Sequence, residues 1–131
     1  MAPQAKVIVI GPTPRWLSPL PALYRNALMF NHGILAMRSS QHLDPNIVGL
    51  DNLMQTALEK SGIDYLSPQK ELCDASGCIT RFSEDLHCPS FVDEEHVSKK
   101  TAEFLIEKFA PEILPSSQLQ SNQAPKAIDA L

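Results

Sequence analysis

Glycine and cysteine are scarce in these 131 residues, at five and three, and aromatic side chains make up only 6%. Three cysteines are too few for a disulfide-built miniprotein, and the odd count leaves at least one thiol unpaired within the chain or serving another partner. A strong charge of one sign is also missing. Eleven lysines and arginines stand against fifteen aspartates and glutamates, a formal net charge of −4. That balance provides no electrostatic footprint for nucleic acid or an anionic membrane surface. No apolar run approaches the roughly 20 residues needed to span a bilayer, and no charged-then-apolar signal peptide opens the chain. With 44% hydrophobic residues, wholesale disorder is excluded as well. What remains is a single soluble α/β or α+β unit, or a piece of one, with no cofactor expected.

Proline is the residue in excess, at eleven. Lys6-Val7-Ile8-Val9-Ile10 before Gly11-Pro12 reads as a buried strand of a parallel sheet, because it is apolar on both faces rather than alternating. Pro12, Pro14, Pro19 and Pro21 block ladder and helix hydrogen bonds, so an extended loop holding Trp16 leaves the strand's C-terminal end. A short helix is predicted over Leu20 to Phe30, then an irregular stretch over 31–46 that leaves His32 and His42 solvated. Ile47, Leu50, Met54, Ala57 and Leu58 recur at helical spacing and predict an amphipathic helix with one face in a core. Ser61-Gly62 ends it, and Ile63 to Leu66 follows as a second strand. Strand, loop, helix, strand is the rhythm of a right-handed crossover unit. Weak strand signals lie at Ile79 to Phe82 and Phe91-Val92. Ser98 caps a last helix with Ala102, Leu105, Ile106 and Phe109 on one face, and Pro111 is expected to stop it. A disordered polar tail is predicted over 114–131, leaving 1–113 as the domain.

Chemistry concentrates at Asp93-Glu94-Glu95-His96. A carboxylate three residues before a histidine, on a turn entering a helix, can accept a hydrogen bond from the imidazole Nδ1–H. That fixes the tautomer and leaves Nε2 to take a proton from a nucleophile. The bland alternative is a surface histidine, with Glu94 and Glu95 placed only to favour the helix N-terminus. Cys73, Cys78, His87, Cys88 and His96 offer zinc donors, but Cys-x4-Cys is looser than usual zinc knuckles and His87-Cys88 cannot easily present both side chains to one ion. No metal is therefore assigned; a disulfide and unpaired buried thiols stay open, with Cys88 read as a small buried filler. Trp16 lies where open α/β sheets bind ligands and could contact a substrate, or it packs down its loop. Arg15 serves equally as a surface ion-pair residue, and Lys99-Lys100 as solvated surface.

In their order and spacing, the Gly-Pro strand with its proline loop, Tyr65-Leu66-Ser67-Pro68, the close Cys73/Cys78 pair, Asp93-x-x-His96-x-Ser98 and the final helix closely resemble the C-terminal half of an SGNH-type hydrolase domain. More narrowly, they resemble the SGNH domain attached to acyltransferase-3 type membrane O-acyltransferases. The resemblance covers residues 6 to about 113. It implies a three-layer α/β fold with a parallel sheet, incomplete because the N-terminal strands are missing. It implies His96 as general base, Asp93 as the residue that orients it, and a Cys73–Cys78 disulfide suited to an oxidising periplasm. Closing so short a loop restricts the unfolded chain by about 2 kcal/mol. The parent protein would act from the periplasmic side of an inner membrane, moving an O-acyl group on an acylated cell-envelope carbohydrate or lipopolysaccharide. Its partners would be the upstream half of the SGNH domain and the membrane acyltransferase domain. Val97, where leucine is usual, and Lys100-Thr101-Ala102, where Gly-Ala is usual, are small departures. A large one is that no Gly-Asp-Ser nucleophile motif and no Gly-x-Asn block precede the Val7 strand. Without them the imidazole has nothing to activate and a tetrahedral intermediate lacks its main stabilisation. The expectation is a chain inactive alone, marginally stable or self-associating, with a non-catalytic interaction remnant or a zinc-binding module as the alternatives.

Overall fold

The apolar run before Gly11 forms strand β1 (Ile8–Ile10), and the proline loop behind it leads into helix α1 (Leu20–Phe30). A short strand β2 (Arg38–Ser39), helix α2 (Pro45–Lys60) and strand β3 (Asp64–Leu66) follow. Then come helix α3 (Pro68–Leu72), the hairpin strands β4 (Cys73–Asp74) and β5 (Gly77–Ile79), and helix α4 (Lys99–Ile113). The computed structural model describes residues 5–30, 33–83 and 88–114. The tail beyond Leu114, His32 and His87 lie outside the described residues.

β1 and β3 pair in parallel, with Val9 opposite Tyr65, and Gly11 N–H extends the ladder by donating to the Leu66 carbonyl at 2.8 Å. Between them α2 starts inside the stretch read as irregular, ahead of the periodic residues from Ile47: Asp44 caps Asn46 N–H and Pro45 occupies the first turn, where its missing N–H costs nothing. Gly62, at φ +73°, makes the left-handed exit. A second, antiparallel sheet has the order β2-β5-β4. Gly77, at φ +118°, sits so close to the Ser39 backbone that a Cβ there would collide with it. Cys73 and Cys78 face each other across β4 and β5 and are joined by a disulfide. The core lies between the two sheets' helices and the loops, built on Trp16, Leu20, Tyr24, Leu72, Phe91 and Phe109.

Several sequence expectations are corrected. The stretch over 31–46 is not wholly irregular, since β2 is recruited by β5 although its own residues carry no strand pattern. The strand signal at Ile79 to Phe82 belongs to Gly77–Ile79, and beyond it Arg81 makes only an isolated bridge to Pro89. Pro111 does not stop α4. It stands in the last turn, where it removes a single N–H, and the Ala110 carbonyl still accepts from Leu114 N–H at 2.8 Å. Cys88 is exposed rather than a buried filler. β1 is not covered on both faces, because Val7 is 60% and Ile10 53% exposed. Likewise α2 buries only Asp51, while Leu50 stays open at 44%, and on α4 Ile106 is 67% exposed. The pattern of the chain is that of a more fully covered sheet than its described residues provide.

Candidate functional site

Phe91, fully buried, drops into the core and packs edge-on against Trp16 with ring centroids 6.3 Å apart. It anchors a tight loop: Phe91 bridges Val97, and Val92 N–H donates to the His96 carbonyl at 2.9 Å. Below the loop, Ser98 N–H donates to the Ser90 carbonyl at 2.9 Å, and the Thr101 hydroxyl donates to the same carbonyl at 2.7 Å. Ser98 then caps α4 by accepting from Thr101 N–H. The loop that carries Asp93 and His96 is therefore clamped at its base by buried polar groups whose hydrogen bonds are satisfied.

The proline loop holds its other side. Trp16 N–H donates to the Glu94 carbonyl at 2.8 Å, Leu20 N–H to Asp93 at 3.4 Å, and the Thr13 hydroxyl to Glu95 at 3.3 Å. Arg15 faces Glu95 at 3.9 Å. The Trp16 bond is made by its backbone N–H and has no side-chain signature, and the Thr13 hydroxyl finds a carbonyl 82 residues away, so sequence reasoning could not assign either to the site's support. Trp16 is 1% exposed and packs down its loop, the reading the sequence left open beside a substrate contact.

Asp93 organises the loop with both oxygens. Oδ1 accepts from the N–H groups of Glu95 at 2.8 Å and His96 at 2.7 Å. Oδ2 lies 2.7 Å from His96 Nδ1. The two backbone donors, His96 first and Glu95 second, with the imidazole adding to them, hold the Asp93 carboxyl down to about 2. The hydrogen bond to Asp93 raises His96 above its ordinary value, and the charges of Asp93, Glu95 and Glu94 act in the same direction. The His96 side chain is 71% exposed, so the ring edge opposite Asp93 is open to solvent. Chemically, this is a carboxylate-oriented imidazole with its second nitrogen available for proton transfer.

The opposite shifts predict a pH window. The raised His96 contributes to stability below its ordinary 6.5 and loses that contribution as pH rises through its raised value. The lowered Asp93 contributes above its ordinary 3.8 and loses that contribution as pH falls toward about 2. Titration of the His96 ring protons by NMR is expected to give an inflection above 6.5, moving back toward it in Asp93→Asn. An inflection unmoved by the substitution would mean that the contact does not persist in solution.

Val97 places this loop at one end of an open apolar groove of about 370 Å³, running past Gly11, Thr13, Ile10, Ala102 and Ile106. Elsewhere, the buried Asp51 accepts from the Tyr65 and Ser67 hydroxyls, each at 2.7 Å, tying α2 to the end of β3. Burial, then that donation to a carboxylate, pushes the Tyr65 hydroxyl's pKa up. The zinc alternative loses two donors, since Cys73 and Cys78 are bonded to each other. Among the described residues no group of three or more metal-ligating side chains is gathered. His42 is exposed, in the left-handed region at φ 63°, and the Lys99-Lys100 pair is exposed as expected.

Compared with protein families, residues 1–111 match the SGNH domain (fused to AT3 domains). Among solved structures, the chain is similar to the lipopolysaccharide acetyltransferase periplasmic domain of Salmonella ser. Paratyphi A, at 30% identity and a TM-score of 0.79. That match covers 85% of this chain and 42% of the other, so this chain spans less than half the length of the domain it resembles. No curated protein matches it. Among the described residues, no helix is long and apolar enough to cross a membrane.

Proposed function

Because the chain belongs to the SGNH domains found fused to AT3 domains, we propose that it supplies the base and its orienting carboxylate to a periplasmic acyl-transfer site. In this reading Asp93 holds His96 by Nδ1, and His96 Nε2 takes the proton of a serine that attacks an acyl carbonyl. The serine and the oxyanion-hole donors come from SGNH sequence that this chain does not contain. The acceptor is a cell-envelope polysaccharide or lipopolysaccharide, in line with the acetyltransferase whose periplasmic domain it resembles. A membrane acyltransferase domain is its partner, and transfer or removal of an acetyl group is the reaction. One observation carries the reading. The 2.7 Å contact between His96 Nδ1 and Asp93 Oδ2 leaves the rest of an exposed imidazole free, the arrangement a general base needs.

The test is a pH–rate profile. The chain alone is expected to hydrolyse a nitrophenyl acetate only at background, since it has no activated nucleophile. A complete SGNH domain carrying this region is expected to gain activity with rising pH through an inflection above 6.5, where His96 becomes neutral. Asp93→Asn is expected to lower both the inflection and the rate. A profile without an inflection that Asp93→Asn moves would remove His96 from the role of base.

A further inference from the structure

Helix α2 keeps a carboxylate where its inner face calls for an apolar side chain. Ile47, Met54 and Leu58 are half-buried and, together with Asp51, follow one another at the spacing of a single helix face. Asp51 is 1% exposed and is the one buried residue described in the helix. Its Oδ1 accepts from the Tyr65 hydroxyl and its Oδ2 from the Ser67 hydroxyl, so both oxygens are held by neutral donors rather than by a cation. Taking a charge out of water is costly even when hydrogen bonds meet it, and apolar replacements of buried ionic groups are often neutral or stabilising. Stability alone therefore gives no reason for a carboxylate here. A residue that breaks the local pattern is expected to serve a site.

The cluster sits at the exit of β1. Where a side chain on Gly11 would stand, the Tyr65 hydroxyl fills the space with Asp51 Oδ1 beside it, so a Cβ there would collide with both. Asp51 thereby fixes the phenol against which Gly11 rests. Two residues further on, the Thr13 hydroxyl donates to the Glu95 carbonyl, and Trp16 N–H donates to the Glu94 carbonyl. The start of the same helix holds the proline loop as well, with Asp44 N–H donating to the Arg15 carbonyl at 2.8 Å. Helix α2 is thus a beam, braced to the sheet at Asp51 and to the proline loop at Asp44. That loop in turn holds the two carbonyls just ahead of His96. The charges that act on His96 are those of Asp93, Glu95 and Glu94, so Asp51 reaches it through geometry alone.

We propose that Asp51 is a positioning residue of the acyl-transfer site: by holding the Tyr65 hydroxyl against Gly11 and the Ser67 hydroxyl at the end of β3, it sets where the proline loop carries the His96 turn. The Asp93–His96 pair itself is closed within one turn and does not depend on Asp51. Asp51 therefore governs the distance over which the proton moves, and not the basicity of the imidazole. A reacting group misplaced by about 1 Å costs about 10²-fold in rate. The proposal rests on the reading of His96 as the base.

The experiment uses a complete SGNH domain that carries this region and follows hydrolysis of a nitrophenyl acetate, with active serines counted by a serine-reactive phosphonate. Asp51→Asn, which turns one acceptor oxygen into an N–H donor, is expected to lower kcat per titrated serine by about tenfold or more. KM and the pH inflection are expected to stay where they are. Tyr65→Phe removes only the hydroxyl against Gly11 and is expected to lower kcat by about threefold in the same manner. Should Asp51→Asn not fold, Tyr65→Phe decides by the same criteria. Leu53→Ala, on the same helix and 69% exposed, is the control and should keep the wild-type rate. A merely structural Asp51 would instead reduce the number of titratable serines while each kept its full kcat, and that result would overturn the proposal. So would an inflection displaced as in Asp93→Asn. His96→Ala, run in parallel, separates the two readings. If it loses turnover while Asp51→Asn and Tyr65→Phe keep theirs, the positioning role fails and the base stands. If it keeps its rate, the base assignment falls, and the positioning role built on it falls too.

Discussion

Replacing His96 by alanine in a complete SGNH domain that carries this region is expected to lower kcat by about 10²–10⁴-fold, the usual contribution of a positioned general base. KM is expected to change little, because the imidazole acts on a proton in the transition state rather than on substrate binding. The fold should be spared. His96 is 71% exposed on its side chain, and its backbone N–H still donates to Asp93 after truncation. Equal melting temperatures of wild type and variant, measured beside steady-state ester hydrolysis, would therefore assign the loss to chemistry. A His96→Ala enzyme that keeps its rate would overturn the assignment. Asp93→Asn is less clean for this purpose, since Asp93 also holds two backbone N–H groups and its loss disturbs the loop as well as the proton transfer.

Phe91→Ala is expected to cost about 3–5 kcal/mol, the range for emptying a fully buried aromatic site. Small domains have only about 5–15 kcal/mol in total, so the variant should lose much of its stability, as read by urea or thermal unfolding. The effect reaches the site because Phe91 anchors the loop from below. It packs on Trp16 and bridges Val97, directly flanking the segment that pairs Asp93 with His96. Where the variant still folds, the His96 inflection should fall back toward 6.5. Val92→Ala is the control: that side chain is 58% exposed, and its truncation should fall within about 0.5 kcal/mol. Comparable losses in the two variants would mean that Phe91 is not the anchor.

The helices and the parallel pair were readable because their signals are local. Ser98 caps α4, Ile47 to Leu58 recur at helical spacing along α2 and Gly11-Pro12 closes β1, each by chemistry within a few residues. The Asp93–His96 pair was readable for the same reason, since both groups sit on one turn. What eluded sequence reasoning depends on distant partners. β2 exists only because β5 pairs with it, and Pro111 is tolerated because α4 is already committed by Leu105 and Phe109 in the core, while α3, at five residues, is too short to show a period. Periodicity also misjudged coverage. An apolar position at helical spacing states what a residue is suited to contact, but Leu50 and Ile106 have no such contact in the described residues.

Residue order alone pointed to an α/β unit of SGNH character and to a carboxylate three residues before a histidine on one turn, because each follows from neighbours in the chain. Packing was needed for the rest: that Trp16 is buried in the core, that the proline loop's backbone holds the Asp93–His96 turn, and that charge borders one sheet edge while the other stays apolar. Those features arise where segments dozens of residues apart meet, and no local preference encodes which segment a side chain or an N–H will find.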